Sequence, residues 1–323
     1  MKAAVLHQFG ETPRYEDFPD PMPGEGEVLI DVRAVALENV DRMMAAGTHY
    51  ASRQFLPTLP AVVGFDGIGA LEDGSLVGFG GMRSPYGAMA DWAVVPEANT
   101  VPLPPGIDAV TAAAFPTAIT AFTMRFAGEL QPGGNVLIQG ATGAAGRVAV
   151  RVARLLGAGR VVATGRNRES LEELKSIGAD AVIDLMQPDE ALAAEFKAEA
   201  AGGYDVVLDF LWGRPTEVLI KTFIPGALDL RKRVRLVQVG EAAGPTISLP
   251  ADSLRTSGLE ICGGSAGVTA ERMTQAAEQV AAWIRAGQLQ LDVLPMPLRD
   301  IEGAWKMDFH GRRVVIVPPA VRN

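Results

Sequence analysis

One stretch restricts the fold of this chain more than any other. Asn135-Val-Leu-Ile-Gln139 is an uncharged apolar run, followed at once by Gly140-Ala-Thr-Gly143-Ala-Ala-Gly146 and then by a helical pattern over 147–156 that stops at Gly157. An apolar run of that length without alternation predicts a strand buried on both faces, and so a parallel sheet covered by helices. Three glycines at a spacing of three, placed where a strand ends and a helix begins, let the backbone approach a bound anion. The helix N-terminus attracts that anion through its free amides and its dipole. Spacing alone is a weak signal, shared with a Gly/Ala turn that only packs a helix on a sheet; the strand before it and the helix after it supply the specificity.

The pattern then repeats. Strands are predicted over 160–164, 181–184, 204–209, 234–239 and 258–262, with a helix over 169–177 stopped by Gly178 and further helical segments between the strands. Strands alternating with helices predict a doubly wound parallel sheet of the α/β class. Before Pro116 the texture differs. Short alternating segments over 2–6, 27–35 and 88–96 are punctuated by Gly and Pro, as in Pro19-Asp20-Pro21-Met22-Pro23 and Pro102-Leu103-Pro104-Pro105, and predict a loop-rich β domain. The tail carries a helix over 269–285, with Met273, Ala276, Ala277, Val280 and Ile284 at core spacing, and a strand over 314–317 that returns to the first domain. The expected domains are therefore 1–118 with 267–323, and 119–266. At 323 residues and 48% hydrophobic content the chain can supply both with a core.

The end of the second predicted strand decides the type of dinucleotide. A carboxylate there holds the ribose 2′-hydroxyl of NADH and repels the 2′-phosphate of NADPH. Twenty residues after Gly146 the chain reads Gly165-Arg166-Asn167-Arg168, without an acid. A guanidinium pairs with a phosphate by charge-assisted hydrogen bonds, so NADPH is the expected cofactor. Gly140, Thr142, Gly143, Ala144, Ala145 and Gly146 are its expected pyrophosphate contacts, and Gly165, Arg166, Asn167 and Arg168 its contacts at the adenosine end. The alternative is that Arg166 and Arg168 are solvated loop charges, with Glu169 available to pair with Arg168. Leu211, Val239 and Gly240 follow the fourth and fifth strands, where dinucleotides bind, or else pack the sheet.

The formal net charge of −9 disfavours nucleic acid or an anionic membrane as partner. The one basic run, Arg231-Lys232-Arg233-Val234-Arg235, reads as a solvated turn before a strand or as an anion contact. A single cysteine, Cys262, allows no intrachain disulfide and suits a reducing compartment. The start, MKAAVLHQFG, lacks the apolar run of a signal peptide, and no stretch approaches the ~18 apolar residues of a membrane span, so a soluble cytoplasmic protein is expected.

Several segments together resemble the zinc-independent medium-chain dehydrogenase/reductases of the quinone oxidoreductase type. They are Met1-Lys-Ala-Ala-Val5, Pro60-Ala-Val-Val-Gly-Phe-Asp-Gly-Ile-Gly69, Gly87-Ala-Met-Ala-Asp-Trp-Ala-Val-Val-Pro96, Thr120-Ala-Phe122, the glycine fingerprint and Tyr204-Asp-Val-Val-Leu-Asp209. The resemblance implies a GroES-like β-barrel catalytic domain beside a Rossmann domain, with NADPH in the cleft. It implies reduction of quinones or α,β-unsaturated carbonyls by hydride transfer, and a homodimer. Thr120 resembles the family threonine near the nicotinamide end, Gly264 and Ser265 the segment over the nicotinamide, and Tyr50, in Gly47-Thr-His-Tyr50, the tyrosine near the substrate.

Counting supports the absence of zinc: a catalytic site takes about three ligands of Cys, His or carboxylate type and a structural site about four cysteines. This chain has one Cys and three His (His7, His49 and His310), and Phe65 stands where zinc-bearing relatives carry a histidine. Two departures concern the substrate loop. Relatives often read Asn-Pro-Val-Asp where this chain reads Glu38-Asn39-Val40-Asp41, and the aromatic often found two residues later is Met43. The stretch between Gly69 and Gly87 is also short.

An enone or quinone acceptor needs a donor for its carbonyl oxygen and a proton source. Tyr50 is the favoured donor, with His49 beside it as orienter or relay and Tyr86, in Ser84-Pro-Tyr-Gly87, as a second donor. Asp41 is a further catalytic candidate, although Asp41 and Asp66 have equal claims as loop-bracing carboxylates. Each tyrosine or histidine has a bland alternative as a packing or surface residue. Two other functions stay open: an NADPH-binding redox sensor or structural protein with little catalysis, favoured by the altered Glu38/Met43 loop, and an enoyl-thioester reductase, whose acyl groove and basic patch are not visible.

Overall fold

The computed structural model describes residues 1–200, 202–224, 233–309 and 311–319. It divides into two units, Met1–Phe115 with Leu291–Asn323, and Pro116–Gln290.

In the first unit β1 (Lys2–Leu6) lies between β2 (Arg14–Asp17) and β4 (Ala61–Val62) in an antiparallel sheet. A larger sheet is built on β3 (Glu27–Ala36), which pairs antiparallel with β5 (Asp66–Ala70) and β7 (Trp92–Pro96). β6 (Leu76–Gly80) and β8 (Thr100–Pro102) extend it beyond β5. The period-two reading of β3 holds: Ile30, Val32 and Ala34 are buried and alternate with Asp31 and Arg33 at partial exposure. The expected strand over 88–96 is shorter. Ala88 and Met89 spend their amides on Gly64 O (3.0 Å) and Val63 O (2.9 Å), single bonds that tie a buried loop and leave only Trp92–Pro96 as strand.

The second unit holds β9 (Asn135–Gln139), β10 (Arg160–Gly165), β11 (Ala181–Asp184), β12 (Val206–Asp209), β13 (Val234–Gln238) and β14 (Leu259–Gly263). All neighbours are parallel, in the order β11-β10-β9-β12-β13-β14. Counted from β9 this is 3-2-1-4-5-6, the doubly wound order whose direction reverses between β9 and β12. Because the strands run the same way, their carboxyl ends, from Gln139 to Gly263, share one edge. Leu137, Val162, Ile183, Val207 and Leu236 form the sheet's share of a core completed by Leu192, Phe196, Leu219 and Ile220 from the helices. Tyr204 and Asp205, expected in β12, precede it. Asp205 Oδ2 accepts the Asn135 amide (2.8 Å), and the buried Tyr204 hydroxyl donates to Phe196 O (3.1 Å).

The long helix spans Ala270–Arg285, with Thr269 Oγ1 accepting the Arg272 amide (3.2 Å) as its cap. Its buried face is Ala276, Val280, Ala281 and Trp283, whereas Met273 is exposed and Ala277 and Ile284 are half-buried. The face is rotated from the expected one because Trp283 stacks on Phe122, centroids 5.5 Å apart. That contact also places the helix in the second unit, not with the C-terminal segment as expected, so the units part at 290/291. β15 (Val293–Pro297) and β16 (Arg313–Val317) then lie in the first unit, where a returning strand was expected, and β16 pairs with β3. There Val314 and Ile316 join the core of Ile30, Val32, Phe79, Met89 and Trp305.

Of the basic run, Arg231 and Lys232 lie outside the described residues. Arg233 pairs with Glu260 (2.6 Å) and Glu129 (2.7 Å), and Arg235 with Glu260 (2.9 Å), so these cations are already matched. Among the described residues no helix is long and apolar enough to cross a membrane.

Candidate active site

The turn from β9 into the helix Ala144–Leu155 uses its three glycines differently. Gly140 has φ +80°, and its amide and that of Ala141 bond Thr164 Oγ1 (3.2 Å) and Thr164 O (2.8 Å), tying the turn to β10. A Cβ on Gly146 would lie 2.4 Å from Gly140 O and 2.5 Å from Ala141 Cα, so close packing of helix on turn requires glycine there. Neither reason applies to Gly143. It has φ −77°, and an added Cβ would meet nothing nearer than Gly140 O at 3.6 Å. Its missing side chain serves no neighbour in the protein and leaves the backbone open to a ligand. The first bond of the helix is Arg147 N–H to Gly143 O (2.9 Å), so the amides of Ala144, Ala145 and Gly146 precede the ladder and are available to an anion. This cradle fits the pyrophosphate of a dinucleotide. Thr142 packs against Gly165, where a Cβ would come within 2.4 Å of Thr142 Cγ2.

At the end of β10 the expected contacts separate. Asn167 Oδ1 accepts the Ser170 amide (3.0 Å) and caps the helix Arg168–Ser176. Arg168 Nε donates to Asp184 Oδ2 (3.0 Å), not to Glu169. Arg166 is exposed and has no partner among the described residues. Asp184 stands beside Gly165 in the parallel register, so a carboxylate does reach this edge, from the neighbouring strand.

The next strand ends on a buried residue that the sequence reading missed. Asp209 Oδ1 accepts the amides of Leu211 (2.8 Å) and Trp212 (3.0 Å), and Oδ2 accepts the Thr216 hydroxyl (2.5 Å). Burial raises its carboxyl above the ordinary range, against the Thr216 hydroxyl and those two amides. Gln139 Nε2 donates to Thr216 Oγ1 (3.1 Å). The clamp holds Trp212 at φ +55° and sets Leu211 against the turn, 2.8 Å from where a Gly140 Cβ would stand. Val239 and Gly240 amides both reach Asp209 O (2.8 and 3.1 Å), and the Gly264 amide reaches Gln238 O (2.8 Å). Leu211, Val239, Gly240, Gly264 and the exposed Ser265 thus follow strand ends on the same edge as the cradle. Thr120 Oγ1 is spent as a donor on Pro116 O (2.7 Å), inside the helix Phe115–Ala121.

In the first unit, His49 and Tyr50 come together, with ring centroids 4.2 Å apart. His49 Nδ1 accepts the Ala51 amide (3.2 Å), which leaves Nε2 to carry the proton, and Tyr50 is 95% exposed. Tyr86 packs edge-on against Phe18 (5.8 Å), with its hydroxyl 3.5 Å from Asp20 O. Asp41 takes the bracing role. It is buried, and its Oδ2 accepts the Glu38 amide (2.8 Å) in a capping box on the helix Asn39–Ala46. Burial drives its carboxyl well above the ordinary range, the Glu38 amide opposing and the Glu38 charge adding. Glu38 itself pairs with Arg313 (3.2 Å), so the departure from asparagine is matched by a cation. Phe65 packs edge-on against Phe55 (5.4 Å), an apolar pair where zinc-bearing relatives have a ligand.

Asp66 reaches solvent yet stands among enough protein to lose hydration, which pushes its carboxyl up to about 6; Glu38 adds to this and Arg313 opposes it. An acid raised in the folded state favours folding as its proton is taken up. Stability from this group is therefore gained as pH falls through about 6 and lost as pH rises through it. Urea unfolding of wild type and Asp66→Asn across this range tests it. The expected result is a wild-type stability that declines relative to the variant between about pH 4 and 6 and runs parallel to it above that. Parallel curves would assign Asp66 an ordinary carboxyl.

Known proteins share this fold. A family model described as zinc-binding dehydrogenase matches residues 144–282. The quinone oxidoreductase of Thermus thermophilus, solved also as its complex with NADPH, matches 98% of this chain and 100% of its own, at 28% identity and a TM-score of 0.77. The chain resembles the medium-chain dehydrogenase/reductases and is quinone oxidoreductase-like. Among medium-chain dehydrogenase/reductases its fold is also that of Escherichia coli quinone oxidoreductase complexed with NADPH, at 22% identity and a TM-score of 0.82 over 98% of this chain and 100% of that one. It is 32% identical to the chloroplastic quinone oxidoreductase QR1 of Triphysaria versicolor over 60% of this chain, and spans 62% of that relative's length. It is 25% identical to a probable NADPH-dependent quinone reductase of Emericella nidulans over 98% of this chain and 100% of the relative. The doubly wound unit is thus the Rossmann domain of a medium-chain dehydrogenase/reductase, and the antiparallel unit its GroES-like domain.

Proposed function

We propose that the protein is an NADPH-dependent, zinc-free oxidoreductase that passes a hydride to a quinone or an α,β-unsaturated carbonyl. The observation that carries this is the guanidinium of Arg166, without a partner among the described residues, on the same sheet edge as the open Gly143 cradle. The backbone amides of Ala144, Ala145 and Gly146, beside the open Gly143, would hold the pyrophosphate and Arg166 the 2′-phosphate. Leu211, Val239, Gly240, Gly264 and Ser265 would line the sheet edge, with Thr120 toward the nicotinamide. When bound, NADPH supplies the hydride. The protein's share is orientation and a proton. Tyr50, with its hydroxyl in solvent and its ring on His49, can donate to an acceptor's carbonyl oxygen and be reprotonated from water. Tyr86 is the second donor. The Phe55/Phe65 pair and the scarcity of Cys and His support zinc-free chemistry. On the same reading the protein is a cytoplasmic homodimer acting on a small molecule, without nucleic-acid or membrane partners.

The test is loss of NADPH absorbance with a panel of quinones and enones, with and without chelator. Turnover unaffected by chelator is expected, and Tyr50→Phe should lower kcat by about 10-fold with little change in NADPH affinity. If the effect falls on Tyr86→Phe instead, Tyr86 is the donor. Tight NADPH binding without turnover of any acceptor would favour the redox-sensor reading, to which the Glu38–Arg313 pair in the altered loop lends support.

A further inference from the structure

We propose that Asp184 sets how strongly this chain prefers a 2′-phosphorylated dinucleotide, by engaging Arg168 and by bringing its own carboxylate to the edge beside Gly165. The inference rests on the reading of this edge as the adenosine end of an NADPH site.

Asp184 is the last residue of β11 and the register partner of Gly165, the last residue of β10. Its side chain is 16% exposed and held on both oxygens, Oδ1 by the Met186 amide (2.9 Å) and Oδ2 by Arg168 Nε (3.0 Å). Arg168 is 87% exposed, so the pair lies at the surface with its acid tucked in and its base outermost. The Met186 amide, and then Arg168, hold the carboxyl below the ordinary range, so it stays charged at neutral pH.

The segment thus offers a phosphate one net positive charge instead of two, since Asp184 cancels Arg168 and leaves Arg166. A carboxylate at this edge also repels a 2′-phosphate and accepts a 2′-hydroxyl. The chain therefore prefers NADPH less than its two arginines suggest, and it retains the means to bind NADH.

Asp184→Asn tests this because the amide oxygen keeps the Met186 contact while the charge is lost. Affinities for NADPH and NADH, measured by fluorescence titration or calorimetry without turnover, are expected to show NADPH tightened about 10-fold, as for one partly exposed charge contact, with NADH changed less than about 2-fold. Adding Arg168→Ala should remove the gain. Unchanged NADPH affinity, or equal shifts for both cofactors, overturns the proposal. Should Asp184→Asn fail to fold, Arg168→Ala alone leaves Asp184 unpaired and is expected to weaken NADPH about 10-fold while sparing NADH; wild-type affinity for both then overturns it. A wild type that binds NADH more tightly than NADPH refutes the NADPH reading, yet the change of ratio on Asp184→Asn still reports on Asp184.

Discussion

Gly146→Val is expected to abolish dinucleotide binding and lower the melting temperature, whereas Gly143→Ala should weaken binding and leave the fold intact. At position 146 the obstacle to any side chain is backbone: Gly140 O at 2.4 Å and Ala141 Cα at 2.5 Å. The turn cannot step aside, because Gly140 and Ala141 are bonded to Thr164 at 3.2 and 2.8 Å. The helix Ala144–Leu155 must move instead, carrying its first amides away from the phosphate position. Overpacking of this kind costs about 1–3 kcal/mol of stability, and the displaced amides should weaken NADPH more than about 100-fold. At position 143 a methyl has 3.6 Å of clearance and an ordinary φ, so the protein tolerates it. On the proposed reading the backbone there approaches a pyrophosphate, so a loss of about 10-fold or more is expected with an unchanged melting temperature. Thermal unfolding beside an NADPH titration checks both. Wild-type binding by Gly143→Ala would remove that glycine from the cradle.

The two glycines also show what could be read in advance. A parallel strand buried on both faces is a plain apolar run, so β9 and β11 have the predicted bounds and the fingerprint stands where expected. The antiparallel unit hides its strands. β5 is Asp-Gly-Ile-Gly-Ala and β6 Leu-Val-Gly-Phe-Gly, and their glycines break the alternation that marks a strand. Packing requires the glycine at 69, where a Cβ would lie 2.2 Å from Ile30 Cγ2. Local chemistry was partly legible, since the spacing of Glu38 and Asp41 is that of a capping box. The side-chain partners at the candidate cofactor site were not. Asp184 meets Arg168 through the parallel register, and Asp209 clamps a turn through contacts of two, three and seven residues that carry no periodic signal. Met273 was misplaced because the facing of its helix follows a stacking partner, Phe122, far away in the chain.

Arg166→Asp should separate the two cofactors. The guanidinium is exposed and has no partner among the described residues, so its removal disturbs no packing and the melting temperature should hold. Toward NADPH the change acts twice. It deletes a charge-assisted contact to the 2′-phosphate and places a like charge near it, with Asp184 already adding a second carboxylate at the same edge. Together these should cost about 3 kcal/mol, on the order of 100-fold in Kd. NADH has no phosphate to lose, and a carboxylate can accept its 2′-hydroxyl, so its affinity should be unchanged or improved. Arg166→Ala divides the effect, since it removes the contact without adding repulsion and should fall between wild type and Arg166→Asp for NADPH alone. Calorimetric titration of both cofactors against the three proteins measures this directly. Equal weakening of NADH would mean that Arg166 supports the fold of the loop. Undiminished NADPH binding would mean that the phosphate is held elsewhere, with Arg168 the next cation along, and that Asp184 yields it when the cofactor binds.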